Sequence, residues 1–208
     1  MVDRSLAQSP LAPLHIDGRV AAADPEPGVR LQERRFPMLL NLRLGEGDIA
    51  ALAAIEAALG GILPRTPNTT GAIVGGATVF WLGPDEFMVA GDDGNVDLER
   101  GLRAAAEGHH VALVDVSDGR AVIRIVGARA RDVLEKGCSL DLHDRVFAPG
   151  RCAQSGLAQA SILLHRIADP AANETAWDIY VDRSFAGYLW MWLEDAAREF
   201  GLAVDLSA

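Results

Sequence analysis

Lysine is nearly absent from these 208 residues, with Lys136 standing alone beside eighteen arginines. That bias reflects either codon usage or a surface rich in protein contacts, where arginine is favoured. Cysteine is scarce too, with two residues, and aromatic side chains make up 6% of the chain. Two cysteines argue against a disulfide framework, and Met1 to Pro10 holds no sustained apolar stretch of the kind a secretory leader needs. A cytoplasmic protein is therefore expected. Net positive charge is missing as well: 19 basic against 29 acidic residues leave −10. Such a chain repels phosphate backbones and anionic lipid surfaces, so neither nucleic acid nor membrane is an expected partner. The longest uncharged run, Thr66 to Pro84, is interrupted by Pro67, Gly71, Gly75 and Gly76 and reads as turns and strands rather than a membrane span.

What is present is a chain that is 50% hydrophobic and long enough to bury a substantial core. Residues 1–35, with Pro10, Pro13, Pro25 and Pro27, show no sustained period and read as an extended N-terminal arm, either disordered or laid over a neighbouring subunit. Order is expected from Phe36 to the end. Met38 to Leu44 reads as a strand, followed by a helix capped by Asp48, with Ile49, Leu52, Ile55 and Leu59 facing the core and Gly60-Gly61 ending it. Three short strands follow at Ala72–Val74, Ala77–Leu82 and Glu86–Ala90, then a helix from Val96 to Ala106 and a buried strand from His110 to Val116.

The same order then recurs. Arg120 to Val126 alternates as a strand, the period changes at Gly127, and Ala128 to Lys136 has helical spacing. Strands are expected at Cys152–Gln159, Ile162–Ile167 and Trp177–Val181, a closing helix at Ser184–Phe200 and a short strand near Ala203. The repeat predicts an α+β domain over residues 36–208 built from duplicated ferredoxin-like halves, about 36–117 and 118–208.

Motifs that carry chemistry are scarce. A dinucleotide loop joins a strand to a helix, whereas Gly71-Ala-Ile-Val-Gly75-Gly76 has the wrong spacing and leads into a strand. Asp92 to Asp97 begins like a calcium loop, but Leu98 stands at the turn-glycine position and Ala104 at the bidentate-acid position, so helix capping by Asn95 explains it better. Cys138, His143 and Cys152 lack zinc spacing, and Cys138 lies beside a helix C-terminus, which disfavours a thiolate. No catalytic residue and no metal site is assigned. Asp115 and Asp118 flank the turn Ser117-Asp-Gly119 and could serve a binding pocket, though turn formation explains them as well. On the closing helix, a wheel places Phe185, Leu189, Trp192, Leu193, Ala196 and Phe200 on one face and leaves Trp190 and Met191 outside it, as candidate interface residues.

One long phrase goes further. Lys136-Gly-Cys-Ser-Leu-Asp-Leu-His143 with Pro149-Gly-Arg-Cys-Ala-Gln154, continued by Ile162-Leu-Leu-His-Arg166 and the segment Trp177 to Trp190, resembles the gamma subunits of heterotetrameric sarcosine oxidases over roughly Arg35 to Val204. Ser139 departs from the proline common after that cysteine. The resemblance implies the folate-binding, aminomethyltransferase-like fold and a subunit that is not catalytic alone. It implies alpha, beta and delta subunits as partners, carrying FAD, FMN, NAD, zinc and tetrahydrofolate. The complex would demethylate sarcosine oxidatively to glycine, with hydrogen peroxide and methylenetetrahydrofolate as further products. The alternative is a free-standing tetrahydrofolate-binding one-carbon protein of the same fold, with Asp115 on the pterin.

Overall fold

A computed structural model describes residues 8–16, 26–34, 37–45, 47–92, 95–168 and 174–205. The chain divides into two compact units, Phe36–Asp118 and a second made of Met1–Arg35 with Gly119–Ala208.

In the Phe36–Asp118 unit, β2 (Met38–Leu44), α1 (Ile49–Leu59), β3 (Thr70–Ala72), β4 (Thr78–Trp81), β5 (Glu86–Gly91), α2 (Val96–Ala106) and β6 (Val111–Asp115) follow one another. The strands form one antiparallel sheet in the order β3-β4-β5-β2-β6. Setting β3 aside, this is the βαββαβ arrangement of a ferredoxin-like half. Asp48 caps α1, its Oδ1 accepting the Ala51 N–H at 2.9 Å, and Gly60 stops the helix in the left-handed conformation at φ 58°. The helix buries Ala51, Ile55 and Leu59 against Leu40, Leu42, Val79 and Val89 of the sheet. Ile49, expected in that core, is 79% exposed, because the stripe that includes Ala51 and Ile55 turns the first residue outward. The strand expected to be buried, β6, is the sheet's edge and carries a half-exposed Val114.

The second unit repeats the plan with β7 (Arg120–Gly127), α3 (Ala130–Glu135), β8 (Cys152–Leu157), β9 (Ala160–Arg166), β10 (Thr175–Asp182), α4 (Ala186–Ala197) and β11 (Leu202–Asp205). Its sheet contains one additional strand, β1 (Val29–Arg34), and is ordered β11-β1-β7-β10-β9-β8. That strand corrects the expected arm. β1 runs parallel to β11 and antiparallel to β7, inserted between them, with Val29 and Leu31 in the core under α3 and α4. Val29, Leu31 and Glu33 alternate inward, and the acid in the third place, engaged by the Ser9 hydroxyl, masks the strand signal in the sequence. Residues 8–16 also pack here, with Leu11 and Ile16 in the same core and the Gln8 carbonyl accepting from Arg183 Nη2 at 2.7 Å. The rest of the expected arm, residues 1–7, 17–25 and 35, lies outside the described residues.

Gly127 ends β7 at φ +142°, and a Cβ there would stand 2.2 Å from the Gly28 carbonyl oxygen. Only glycine allows β1 to enter so close to β7. Among the described residues, no helix is long and apolar enough to cross a membrane.

Candidate functional site

The Phe36–Asp118 unit contains a cleft of about 690 Å³, built by three separated segments. Leu44, Gly47, Asp48, Ile49 and Leu52 come from the β2–α1 connection, Leu63, Pro64, Arg65 and Pro67 from the loop after α1, and Trp81, Pro84, Asp85 and Phe87 from the β4–β5 hairpin. Each wall is tied down. Glu56 Oε1 accepts the Leu63 N–H at 3.0 Å and pairs with Arg65 Nη2 at 2.9 Å, fixing the loop to α1. The Leu44 N–H donates to the Asp85 carbonyl at 3.0 Å, fixing the hairpin turn to the end of β2. The Ala51 N–H holds the Asp48 carboxyl below its usual range, with a smaller contribution from His109, whose Nδ1 lies 3.7 Å from Asp48 Oδ2. Apolar side chains and rigid prolines dominate the lining, and its charged groups are two acids and an arginine engaged by Glu56. That chemistry suits binding rather than proton transfer.

A second polar cluster crosses the other unit's sheet, on the face opposite α3 and α4. Register aligns Gln32 of β1, Arg124 of β7, Asp178 of β10, His165 of β9 and Cys152 of β8 in one row. Arg124 and Asp178 form a two-pronged ion pair, Nε to Oδ1 at 2.7 Å and Nη2 to Oδ2 at 2.8 Å. Burial drives the His165 pKa down to about 4, with Asp178 opposing and Arg124 adding to the shift. Burial likewise pushes the Tyr180 hydroxyl far above its usual value, and the Asp178 carboxylate adds to the shift. A neutral imidazole and a carboxylate committed to arginine make this row a framework within the sheet. Cys152 is fully buried in it.

Within each unit, the residues singled out from sequence do not converge. Cys138 lies in the helix-covered core, whereas Cys152 sits on the opposite face of the sheet, so the sheet separates them. His143 Nδ1 accepts the Arg145 N–H at 3.2 Å. Asp115 ends β6, its Oδ1 accepting from both the Ser117 N–H at 2.9 Å and the Ser117 hydroxyl at 2.6 Å. Asn95 occupies the cap position of α2, yet its Nδ2 donates to the Asp92 carbonyl and its side chain makes no cap bond. Asp93 and Gly94 of that loop lie outside the described residues.

Trp190 requires a correction. It is completely buried, and with Ala186, Leu189, Leu193 and Ala197 it forms the true core stripe of α4. Phe185 belongs to the 3-10 turn Arg183–Phe185 preceding the helix, so a helical wheel that includes it is rotated off the true stripe. Phe185 is 43% exposed and packs edge-on against Tyr188, while Met191, which does face outward, is 50% exposed.

The phrase that carries the family resemblance is scaffold. Leu142 and Phe147 enter the core, and Phe147 lies 5.2 Å from the Trp177 ring. Asp144 Oδ1 receives Arg166 Nη1 at 2.9 Å and Arg131 Nη1 at 3.2 Å, tying the segment to β9 and α3. The Arg166 bond, reinforced by Arg131, holds the Asp144 carboxyl below its usual range. The single lysine, Lys136, bonds the Ala196 carbonyl and Glu199 and rests 4.6 Å over the Phe200 ring, joining the end of α3 to that of α4.

Comparison with known proteins places this architecture. The sarcosine oxidase, gamma subunit family matches residues 43–199, more than half of the chain. The chain is 35% identical over 204 residues to the sarcosine oxidase subunit gamma of Corynebacterium sp. (strain U-96), covering 98% of this chain and 96% of that one. Among solved structures, the heterotetrameric sarcosine oxidase from Corynebacterium sp. U-96 in complex with pyrrole 2-carboxylate superposes with a TM-score of 0.83 at 35% identity, over 94% of this chain and 96% of that one. The glycine cleavage system aminomethyltransferase T from Bartonella henselae shares the fold, with a TM-score of 0.62 at 16% identity, over 93% of this chain and 51% of that one. The duplicated α+β architecture is thus the aminomethyltransferase-like fold, and the chain belongs to the sarcosine oxidase gamma subunit family.

Proposed function

We propose that this chain acts as the gamma subunit of a heterotetrameric sarcosine oxidase and is not catalytic alone. In this reading it joins alpha, beta and delta subunits in the cytoplasm. Those subunits carry FAD, FMN, NAD and tetrahydrofolate, and the complex demethylates sarcosine to glycine with formation of hydrogen peroxide and methylenetetrahydrofolate. The observation that carries the reading is the 35% identity across nearly the whole of a named gamma subunit.

The chain's own geometry agrees with a supporting role. Gly71–Gly76 passes through a short 3-10 turn, Val74–Gly76, into β4, so the glycine run offers no helix N-terminus to a pyrophosphate and does not fit a dinucleotide. Arg124 and Asp178 of the buried row close on each other, and Asp115 Oδ1 accepts from the Ser117 hydroxyl within its own turn. The free-standing folate-binding alternative depends on that same carboxylate, and nothing favours it.

The test is purification of the chain alone and together with its companion subunits. The isolated chain should show no stoichiometric flavin absorbance, no sarcosine oxidation and no saturable tetrahydrofolate binding by calorimetry. Sarcosine oxidation should appear with the companions present. Flavin or micromolar folate bound by the single chain would overturn the assignment.

A further inference from the structure

The cleft of the Phe36–Asp118 unit has features that its own folding does not require. Ile49 is 79% exposed at the first turn of α1, although that helix already buries Ala51, Ile55 and Leu59 on its inner side. Trp81 also lines the cleft, partly buried against the core of the unit. Apolar surface left open at such a cleft, most of it here on Ile49, gains free energy when something covers it. The cavity is also prepared in advance. Prolines stiffen its rim, and Glu56 and the Leu44–Asp85 bond hold its walls, so little ordering entropy remains to be lost on binding.

Charge identifies the kind of occupant. Residues 36–118 contain four arginines against twelve acids, so −8 of the chain's −10 resides in this unit. Asp48 and Asp85 stand at the cleft, and its one arginine, Arg65, is paired with Glu56. The field around the cleft therefore attracts cations.

We propose that this cleft docks a segment of a companion subunit, with an apolar or aromatic side chain inserted between Ile49 and Trp81 and a flanking arginine or lysine meeting Asp48 and Asp85. This rests on the reading of the chain as an oxidase subunit. The insertion supplies affinity, and the acid pair supplies orientation and speed of encounter.

The test titrates the full chain into its companion subunits, prepared without it, and follows assembly. Ile49→Arg changes an exposed side chain and leaves the core intact, so its melting temperature should match the parent's while affinity falls about tenfold or more. Asp85→Lys, in an exposed turn, should weaken assembly and flatten its dependence on salt between about 0.05 and 0.5 M. Met191→Arg, on the other unit, should assemble as the parent does. Wild-type chain that fails to assemble would remove the subunit reading itself. Assembly of the wild type that is indifferent to both Ile49→Arg and Asp85→Lys, or that is lost in Met191→Arg instead, would leave that reading intact and overturn the docking site.

Discussion

Arg124 and Asp178 face one another across β7 and β10, and both prongs of the guanidinium close on the carboxylate at 2.7 and 2.8 Å. The Asp178 side chain is 7% exposed and that of Arg124 24%. Removing the carboxylate leaves a guanidinium with little water to replace its partner. Asp178→Asn should cost about 2 to 4 kcal/mol in urea unfolding, below the range for a fully buried pair because Arg124 keeps some contact with solvent. Replacing both, as Arg124→Met with Asp178→Leu, should cost much less than the sum of the singles. Additive losses would show that the two side chains do not act as a pair.

His165 stands beside that pair, with Asp178 opposite it on β10 and Cys152 opposite it on β8. Its pKa is lowered to about 4 from 6.5, so the folded chain holds the imidazole neutral while the unfolded chain takes up a proton. Its contribution to stability is complete above pH 6.5 and is lost as the pH falls from there towards 4, at up to about 1.4 kcal/mol per pH unit. His165→Gln should be less sensitive to acid over that window when melting temperatures are compared. Parallel profiles for the two proteins would contradict this.

Local rules read much of this chain correctly, and they fail where the answer is set at a distance. Asp48 as cap, Gly60 as stop and Gly127 as the change of period are each decided within a few residues, and the structure places all three accordingly. The recurrence of strand, helix, strands, helix and strand conveys the duplication, because each element has its own period. The insertion of β1 could not be read, since Val29 pairs with Leu202, and no local signal reports a partner so far along the chain. The phase of α4 was lost because the 3-10 turn before it shifts Phe185 off the helical period. The cleft was invisible for a related reason. Its walls come from three segments whose junction depends on the sheet, and Ile49, whose spacing from Leu52, Ile55 and Leu59 fits a core stripe, gives no local sign that it is exposed there.

Gly28 and Gly127 show how tightly the inserted strand is held. At φ +142° with a Cβ only 2.2 Å from the Gly28 carbonyl oxygen, Gly127 can accept no side chain without moving β1. Gly127→Ala should therefore destabilise the chain by about 2 kcal/mol or more, combining backbone strain with steric overlap. Gly101 in α2, where an added Cβ meets nothing within 4 Å, is the control. Gly101→Ala should be neutral or stabilising by up to about 1 kcal/mol. Equal melting temperatures for the two variants would contradict the close approach.

Adjacent residues on α4 give the sharpest contrast between core and surface. Trp190 is completely enclosed, whereas Met191 is half exposed. Trp190→Ala should cost about 3 to 5 kcal/mol of stability in the isolated chain through the cavity it leaves. Met191→Ala should change stability by no more than about 0.5 kcal/mol. A weakened assembly in Trp190→Ala would then track the fraction of chain that is folded, and the folded fraction should bind its companions normally. A Trp190→Ala chain with an unchanged melting temperature and lost assembly would restore the tryptophan to the surface and contradict the stripe formed by Ala186, Leu189, Trp190, Leu193 and Ala197.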